Sequence, residues 1–169
     1  MLYFKRFFIT CVMLAALSAC QTISVRELSE ITQPELDRIE IGSPSSRNEQ
    51  IFYRQLRDNF AQNDALRDYR LTIQLSQSNS STLSVKGKSS NLSKTVMTLT
   101  YQLEDRVSGD LVTNGNLSAT STSGTVSSYY GQDKSKQFAA ERLTKQLADK
   151  LTLSLRNYFL ITHNEAQSQ

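Results

Sequence analysis

Few side chains in this chain could do chemistry. It contains two cysteines and a single histidine. A histidine acting as general base needs a nucleophile and an orienting partner within hydrogen-bond reach. His163 lies in a polar tail past the last core residue, where a surface position is the better reading. The acidic pair Glu104-Asp105 stands at a strand end beside the turn Asp105-Arg106-Val107-Ser108-Gly109-Asp110, where solvated charge is the ordinary explanation. The glycines are scattered over turn positions and build no phosphate-binding loop. No Cys/His grouping offers a zinc or iron site. A carboxylate-only hydrolase has no positive support, so the expectation is a protein without catalytic residues, metal or cofactor. Lysines remain. Lys86, Lys88 and Lys94 border one polar stretch, and Lys134 and Lys136 open the last helical segment. Each could meet a phosphate as a point charge, although singly each reads as solubilising charge.

The cysteine at position 20 carries the one covalent chemistry that the spacing favours. Lys5-Arg6 precede an apolar run from Phe7 to Leu17. Eleven helical residues rise only about 16 Å, half of a bilayer core, so the run is too short for a stable transmembrane anchor. It reads as a secretory leader with small residues before the cut. Leu17-Ser18-Ala19-Cys20 resembles the lipobox of bacterial lipoproteins. That resemblance implies diacylation of the Cys20 thiol, cleavage after Ala19 and acylation of the new amino terminus. Two or more chains hold a protein stably to a membrane, whereas one does so only marginally. Gln21, where an aspartate would retain the protein at the inner membrane, goes with outer-membrane sorting on the periplasmic side. The divisions expected are a signal peptide over 1–19, a lipidated tether over 20–37, one domain over 38–161 and a polar tail over 162–169.

Nineteen Lys and Arg face sixteen Asp and Glu. Losing Lys5 and Arg6 with the leader leaves the remainder nearly neutral, which removes most support for a nucleic-acid partner. Cys11 leaves as well, and a lipidated Cys20 cannot pair, so no disulfide framework forms. Stability must come from a hydrophobic core, and about 150 residues suffice for one.

The elements follow from periodicity. Pro34 interrupts the region from Gln21 to Asp37, which reads as tether. Leu36 to Ile41 alternates apolar and charged residues as a short strand ended by Gly42. Ser46-Arg47-Asn48-Glu49 has capping-box spacing, and Phe52, Leu56 and Phe60 then recur on one helical stripe. Gln62-Asn63-Asp64 closes that helix. Tyr69 to Leu75 is a strand. Nearly half of Ser76 to Thr100 is Ser or Thr, and Ser78 to Leu92 reads as a long loop or extended hairpin tip. Met97, Leu99, Tyr101 and Leu103 define the inward face of the next strand; Val96, Thr98, Thr100, Gln102 and Glu104 point outward. The last strand runs from Leu111 to about Ser121, adding Ser118 and Thr120 to the outer face and Gly115 as a bulge. Ser135 to Phe159 is a helix with Leu143, Leu147, Leu151 and Leu155 as its core stripe, joined by Phe138, Ala139 and Tyr158. The expected fold is α+β: a two-layer sandwich, a four-stranded mixed sheet with two amphipathic helices on one face, order βαβββα. The first two strands are joined by a helical crossover and are parallel; the others are antiparallel. The outer face, made of short donors and acceptors, suits solvent or the polar lumen of an outer-membrane barrel.

The run of lipobox, Ile39-Glu40-Ile41, the helix containing Tyr53-Arg54-Gln55-Leu56-Arg57-Asp58, Tyr69 to Leu75, Tyr101 to Gly109 and the Ala- and Leu-rich last helix resembles the LptE family in its alphaproteobacteria-like form. This is the LPS-assembly lipoprotein family of the outer-membrane lipopolysaccharide translocon. The resemblance implies a non-enzymatic outer-membrane lipoprotein that plugs a large β-barrel, assists its assembly and binds lipopolysaccharide. Basic loop residues bind the phosphorylated lipid in that family; Lys86, Lys88, Lys94, Lys134 and Lys136 are those available here. The competing expectation is an accessory or structural lipoprotein of another envelope or export complex, without lipopolysaccharide contact. A tethered periplasmic hydrolase is a third.

Overall fold

A computed structural model describes residues 25–60, 67–83, 91–124 and 128–168. The elements, in chain order, are α1 (Val25–Asp37), β1 (Ile39–Ile41), α2 (Arg47–Asn59), β2 (Tyr69–Leu83), β3 (Asn91–Asp105), β4 (Leu111–Gly124) and α3 (Tyr129–Gln167). The leader, Cys20 and the segment Gln62-Asn63-Asp64 lie outside the described residues.

The strands form one sheet in the order β1-β2-β3-β4. β1 pairs parallel with Tyr69, Arg70 and Leu71, and α2 supplies the crossover between them. β2, β3 and β4 are antiparallel neighbours. The alternation legible in the sequence sorts the faces. Leu71, Met97, Leu99, Tyr101, Leu103 and Ala119 are buried on one face under the helices, together with Leu143, Leu147, Leu151 and Leu155 of α3 and Phe52, Leu56 and Phe60 of α2. The fold class is thus α+β with a four-stranded mixed sheet, and a third helix is added to the expected two.

That third helix is a correction. α1 occupies the stretch read as tether and runs through Pro34 to Asp37. Proline removes one helical donor and is disfavoured there, but Thr32 and Leu36 are fully buried, and packing outweighs the local penalty. Gln33 fixes the helix by donating to Asp37 Oδ1 at 3.0 Å and accepting from Arg156 Nη2 of α3 at 3.0 Å. The first strand is accordingly shorter than its alternation indicates, because Leu36 and Asp37 belong to α1.

The Ser-rich stretch settles between its two readings. β2 continues to Leu83 and β3 begins at Asn91, so of the two readings of Ser78 to Leu92 the extended hairpin holds and the long loop does not, with cross-strand pairs such as Ser78↔Val96 and Ser80↔Lys94. Gln77 and Asn79 are exposed even though they occupy the helix-side face. β2 shows no apolar side between Ser76 and Ser80, and backbone pairing with β3 holds it. Likewise α3 starts at Tyr129 and reaches Gln167, six residues ahead of its predicted start and through the expected tail.

Local signals hold in detail. Ser46 Oγ accepts from Glu49 N at 3.2 Å, as a capping residue should. The return half of the box is shifted by one residue: Glu49 Oε2 accepts from Ser45 N at 2.6 Å and from Ser45 Oγ at 2.7 Å. These bonds, that from the Ser45 amide first, hold the Glu49 carboxyl below its ordinary value of 4.5. A depressed carboxylate stabilises the fold above its unfolded-state pKa, and that contribution is lost as pH falls through the folded-state value. Glu49→Gln should therefore flatten the loss of thermal stability below pH 4.5 while lowering stability slightly at neutral pH, measured by melting curves across pH. Gly109 adopts φ 77°, as its turn requires. Gly115, in contrast, is no bulge. It stays in register opposite Tyr101, and the irregularity lies between Leu103 and Glu104. A Cβ at position 115 would sit 2.8 Å from the Tyr101 ring, so glycine is there to let the ring lie across β4 and reach Ser154 Oγ at 2.9 Å.

Candidate functional site

Two surfaces stand out, and the topology generates both. The helices cover one side of the sheet, leaving the other side bare. Its rows carry Thr72, Gln74, Ser76 and Ser78 from β2, Thr98, Thr100 and Gln102 from β3, and Asn114, Asn116, Ser118 and Thr120 from β4. Short hydroxyls and amides can exchange hydrogen bonds with water or with a polar wall at little desolvation cost, unlike long charged groups. The sheet also keeps open margins. β1 covers only the first three residues of β2, and the outer side of β4 has no strand beside it among the described residues. Lys150 Nζ donates to Ser118 O at 2.7 Å on β4.

The second surface is a groove of about 540 Å³ at the tip of the sandwich, between the end of β4 and the start of α3. Ser121, Thr122 and Ser123 form one wall; Lys134, Phe138 and Arg142 from α3 form the other. Lys134, Phe138 and Arg142 follow at four-residue steps, so helical geometry places them on one stripe. Ser128 caps the helix, its Oγ accepting from Gly131 N at 3.4 Å. The first turn of a helix favours anions through its unpaired amides and dipole. Arg142 Nη2 donates to the buried Ser121 hydroxyl at 2.6 Å, which holds the guanidinium against the strand. Lys134 Nζ lies 5.7 Å from the Tyr130 ring centre and donates to Gln137 Oε1 at 3.3 Å. Tyr129, Tyr130 and Phe138 are 89%, 71% and 67% exposed. Two cations, hydroxyls, a helix amino end and bare aromatic rings thus meet at this groove.

Of the lysines singled out by sequence, Lys134 lines this groove. Lys136 is exposed on the same helix but is not part of the groove wall. Lys94 is exposed on the bare face, opposite Ser80 and Thr122, and so points away from the helix side where Lys134 stands. Lys86 and Lys88 lie outside the described residues. Arg142 was not singled out, although its spacing from Lys134 would have found it. Phe138 was placed in the core stripe, and the structure corrects this: its ring is solvent-facing while Ala139 is buried beside it. His163 is exposed near the end of α3, 2.9 Å from Gln167 Nε2. Asp105 accepts from Val107 N at 2.8 Å and Ser108 N at 2.9 Å, and these amides, Ser108 first, lower its pKa. Its role is to shape the turn. Among the described residues no group of three or more His, Cys, Asp or Glu could hold a metal, and no helix is long and apolar enough to cross a membrane.

Comparison with known proteins agrees with this architecture. The model of the LptE family, described as lipopolysaccharide-assembly, matches residues 36–155. Most of α1 and the last turns of α3 lie outside that match. A solved lipoprotein of Caulobacter crescentus superposes with a TM-score of 0.63 at 19% identity, over 79% of this chain and 98% of its own. A minor lipoprotein of Acinetobacter baumannii gives a TM-score of 0.53 at 20% identity, over 70% of this chain and 90% of its own. At such identities the structures share the fold. No protein of curated function matches in sequence.

Proposed function

This chain belongs to the LptE family of lipopolysaccharide-assembly proteins, and on that premise we propose that it is a non-enzymatic, lipid-anchored subunit of the outer-membrane lipopolysaccharide translocon. It is held through Cys20 on the periplasmic side, sits within the lumen of a large β-barrel partner, assists that barrel's assembly and binds lipopolysaccharide.

The bare sheet face is the observation that carries the plug reading. An outer-membrane barrel wide enough to hold a domain has a polar interior. A partner docking by apolar burial would need a greasy patch on the sheet, whereas hydroxyls and amides dominate this face over three strands, with Val96 alone among them and the charges Arg70, Glu104 and Lys94 toward its two ends. Lipopolysaccharide binding is assigned to the tip. Phosphates meet Lys134, Arg142 and the first turn of α3, and acyl chains or sugar rings lie against Phe138, Tyr129 and Tyr130. Lys94, Lys136, Lys86 and Lys88 supply longer-range attraction.

Removing the phosphates from purified lipopolysaccharide tests the assignment. Binding of the dephosphorylated ligand to the isolated protein, followed by calorimetry, should be at least about tenfold weaker, since a charge-assisted hydrogen bond contributes about 1.5–3 kcal/mol. Equal affinity for both ligands would remove the phosphate role from the tip.

A further inference from the structure

The opposite end of the molecule, about 35 Å from the groove along the sheet, holds a second grouping that lipopolysaccharide binding does not use. We infer that this end rests on the lipid surface in which Cys20 is anchored, with Val107 and Leu111 entering the headgroup region; the inference depends on the reading of Cys20 as lipidated.

Chain length is the first argument. Val25, the start of α1, follows Cys20 by five residues, which span at most about 18 Å. α1 cannot swing away to lengthen that reach. Thr32 and Leu36 are buried, and Gln33 bonds to Arg156 of α3. A lipid at position 20 therefore keeps this end of the body close to the bilayer.

What is presented there is apolar. Val107, at the crest of the β3–β4 turn, is 91% exposed, and Leu111 is 52% exposed just beyond it. Ile31 of α1 and Ile161 of α3 are exposed on the helices that meet at the same end. Ile31 also lines a groove of about 410 Å³ at this end, together with Val112, Tyr158 and Phe159. Exposed aliphatic side chains on a turn have no folding role, and a membrane interface is where burying them is favourable.

The charges nearby select the kind of contact. Glu35, Asp105 and Asp110 stand at this end with Arg38 and Arg106; Asp105 accepts from the turn amides, Arg38 pairs with Glu35 and Asp68, and Arg106 pairs with Glu40. With its arginines paired to carboxylates, this end gains little from anionic headgroups, and Lys134 and Arg142 are at the far end. The contact is therefore apolar, works on zwitterionic lipid and is insensitive to salt. It also orients the molecule, with the anion-binding tip directed away from its own leaflet.

The test uses the full lipidated chain in phosphatidylcholine vesicles containing a headgroup-level quencher lipid. An environment-sensitive dye is attached at Val107→Cys or, as a reference about 30 Å away along the sheet, at Thr120→Cys. The expected result is at least twofold stronger quenching at 107 than at 120, unchanged in 0.5 M sodium chloride. Equal quenching with Cys20 shown by mass spectrometry to be lipidated would overturn this inference and leave the anchor reading standing. An unmodified Cys20 would instead overturn the anchor, and the inference with it. A dye at 107 that is shielded without quenching, in a species of twice the mass by sedimentation, would assign this end to a second copy and also overturn the inference.

Discussion

Leu151→Ala should cost the fold about 2–5 kcal/mol, the range for emptying a fully buried leucine site. Leu151 is completely buried, one turn from Leu147 and Leu155, which are equally buried. α3 packs against α2, α1 and the sheet, so the stripe joins the two layers into one core. Domain stability is only about 5–15 kcal/mol in total. For a chain of this size the loss corresponds to a fall in Tm of roughly 6–15 °C. Leu153→Ala is the control. Leu153 lies two residues away on the same helix but is 53% exposed, so its truncation should cost no more than about 0.5 kcal/mol. Thermal unfolding followed by circular dichroism compares them directly. If the two variants melt together, α3 does not pack on the stripe described.

The double charge reversal Lys134→Glu with Arg142→Glu should weaken lipopolysaccharide binding about 10- to 100-fold near 0.1 M salt. Each cation offers charge-assisted hydrogen bonds to phosphate, worth about 1.5–3 kcal/mol where partly shielded. The groove is open to solvent, so screening removes part of that gain. Reversal adds repulsion to the loss. The variant should also lose most of its salt sensitivity, since the ionic contacts that salt weakens have gone. Arg142 donates to Ser121, so a small stability loss is expected beside the binding loss; a melting curve separates the two. Lys136→Glu, on the same helix but outside the groove, should change affinity severalfold at most. Equal effects from Lys136→Glu and the double variant would mean that overall charge, not the groove, does the binding.

The parts of this fold legible in sequence are those where one face is apolar. Met97, Leu99, Tyr101 and Leu103 alternate with polar residues because the helices cover one side of the sheet only, and the bare face could be written down from that alternation alone. The parallel crossover and the Ser46 cap were equally readable, since each depends on local geometry. α1 was not. Its proline argues against a helix, and the burial of Leu36 and Thr32 that overrides it comes from α3, over a hundred residues away. The hairpin beyond Leu75 was hidden for a different reason. Ser78 and Ser80 face solvent and so do Gln77 and Asn79, leaving no period-two contrast to detect. At the tip, Lys134 was visible as charge but Phe138 and Arg142 were not. A ring four residues from a cation reads as core until the neighbouring Ala139 is seen to face inward in its place.

The proposed function requires that this protein work seated inside a barrel. Outer membranes solubilised in mild detergent, with the protein captured through a carboxy-terminal tag, test it most directly. A stable one-to-one complex with a large β-barrel protein, surviving high salt, is expected, because mostly neutral hydroxyls and amides make the contact. Recovery of the tagged protein alone, with the barrel left in the unbound fraction, would contradict it.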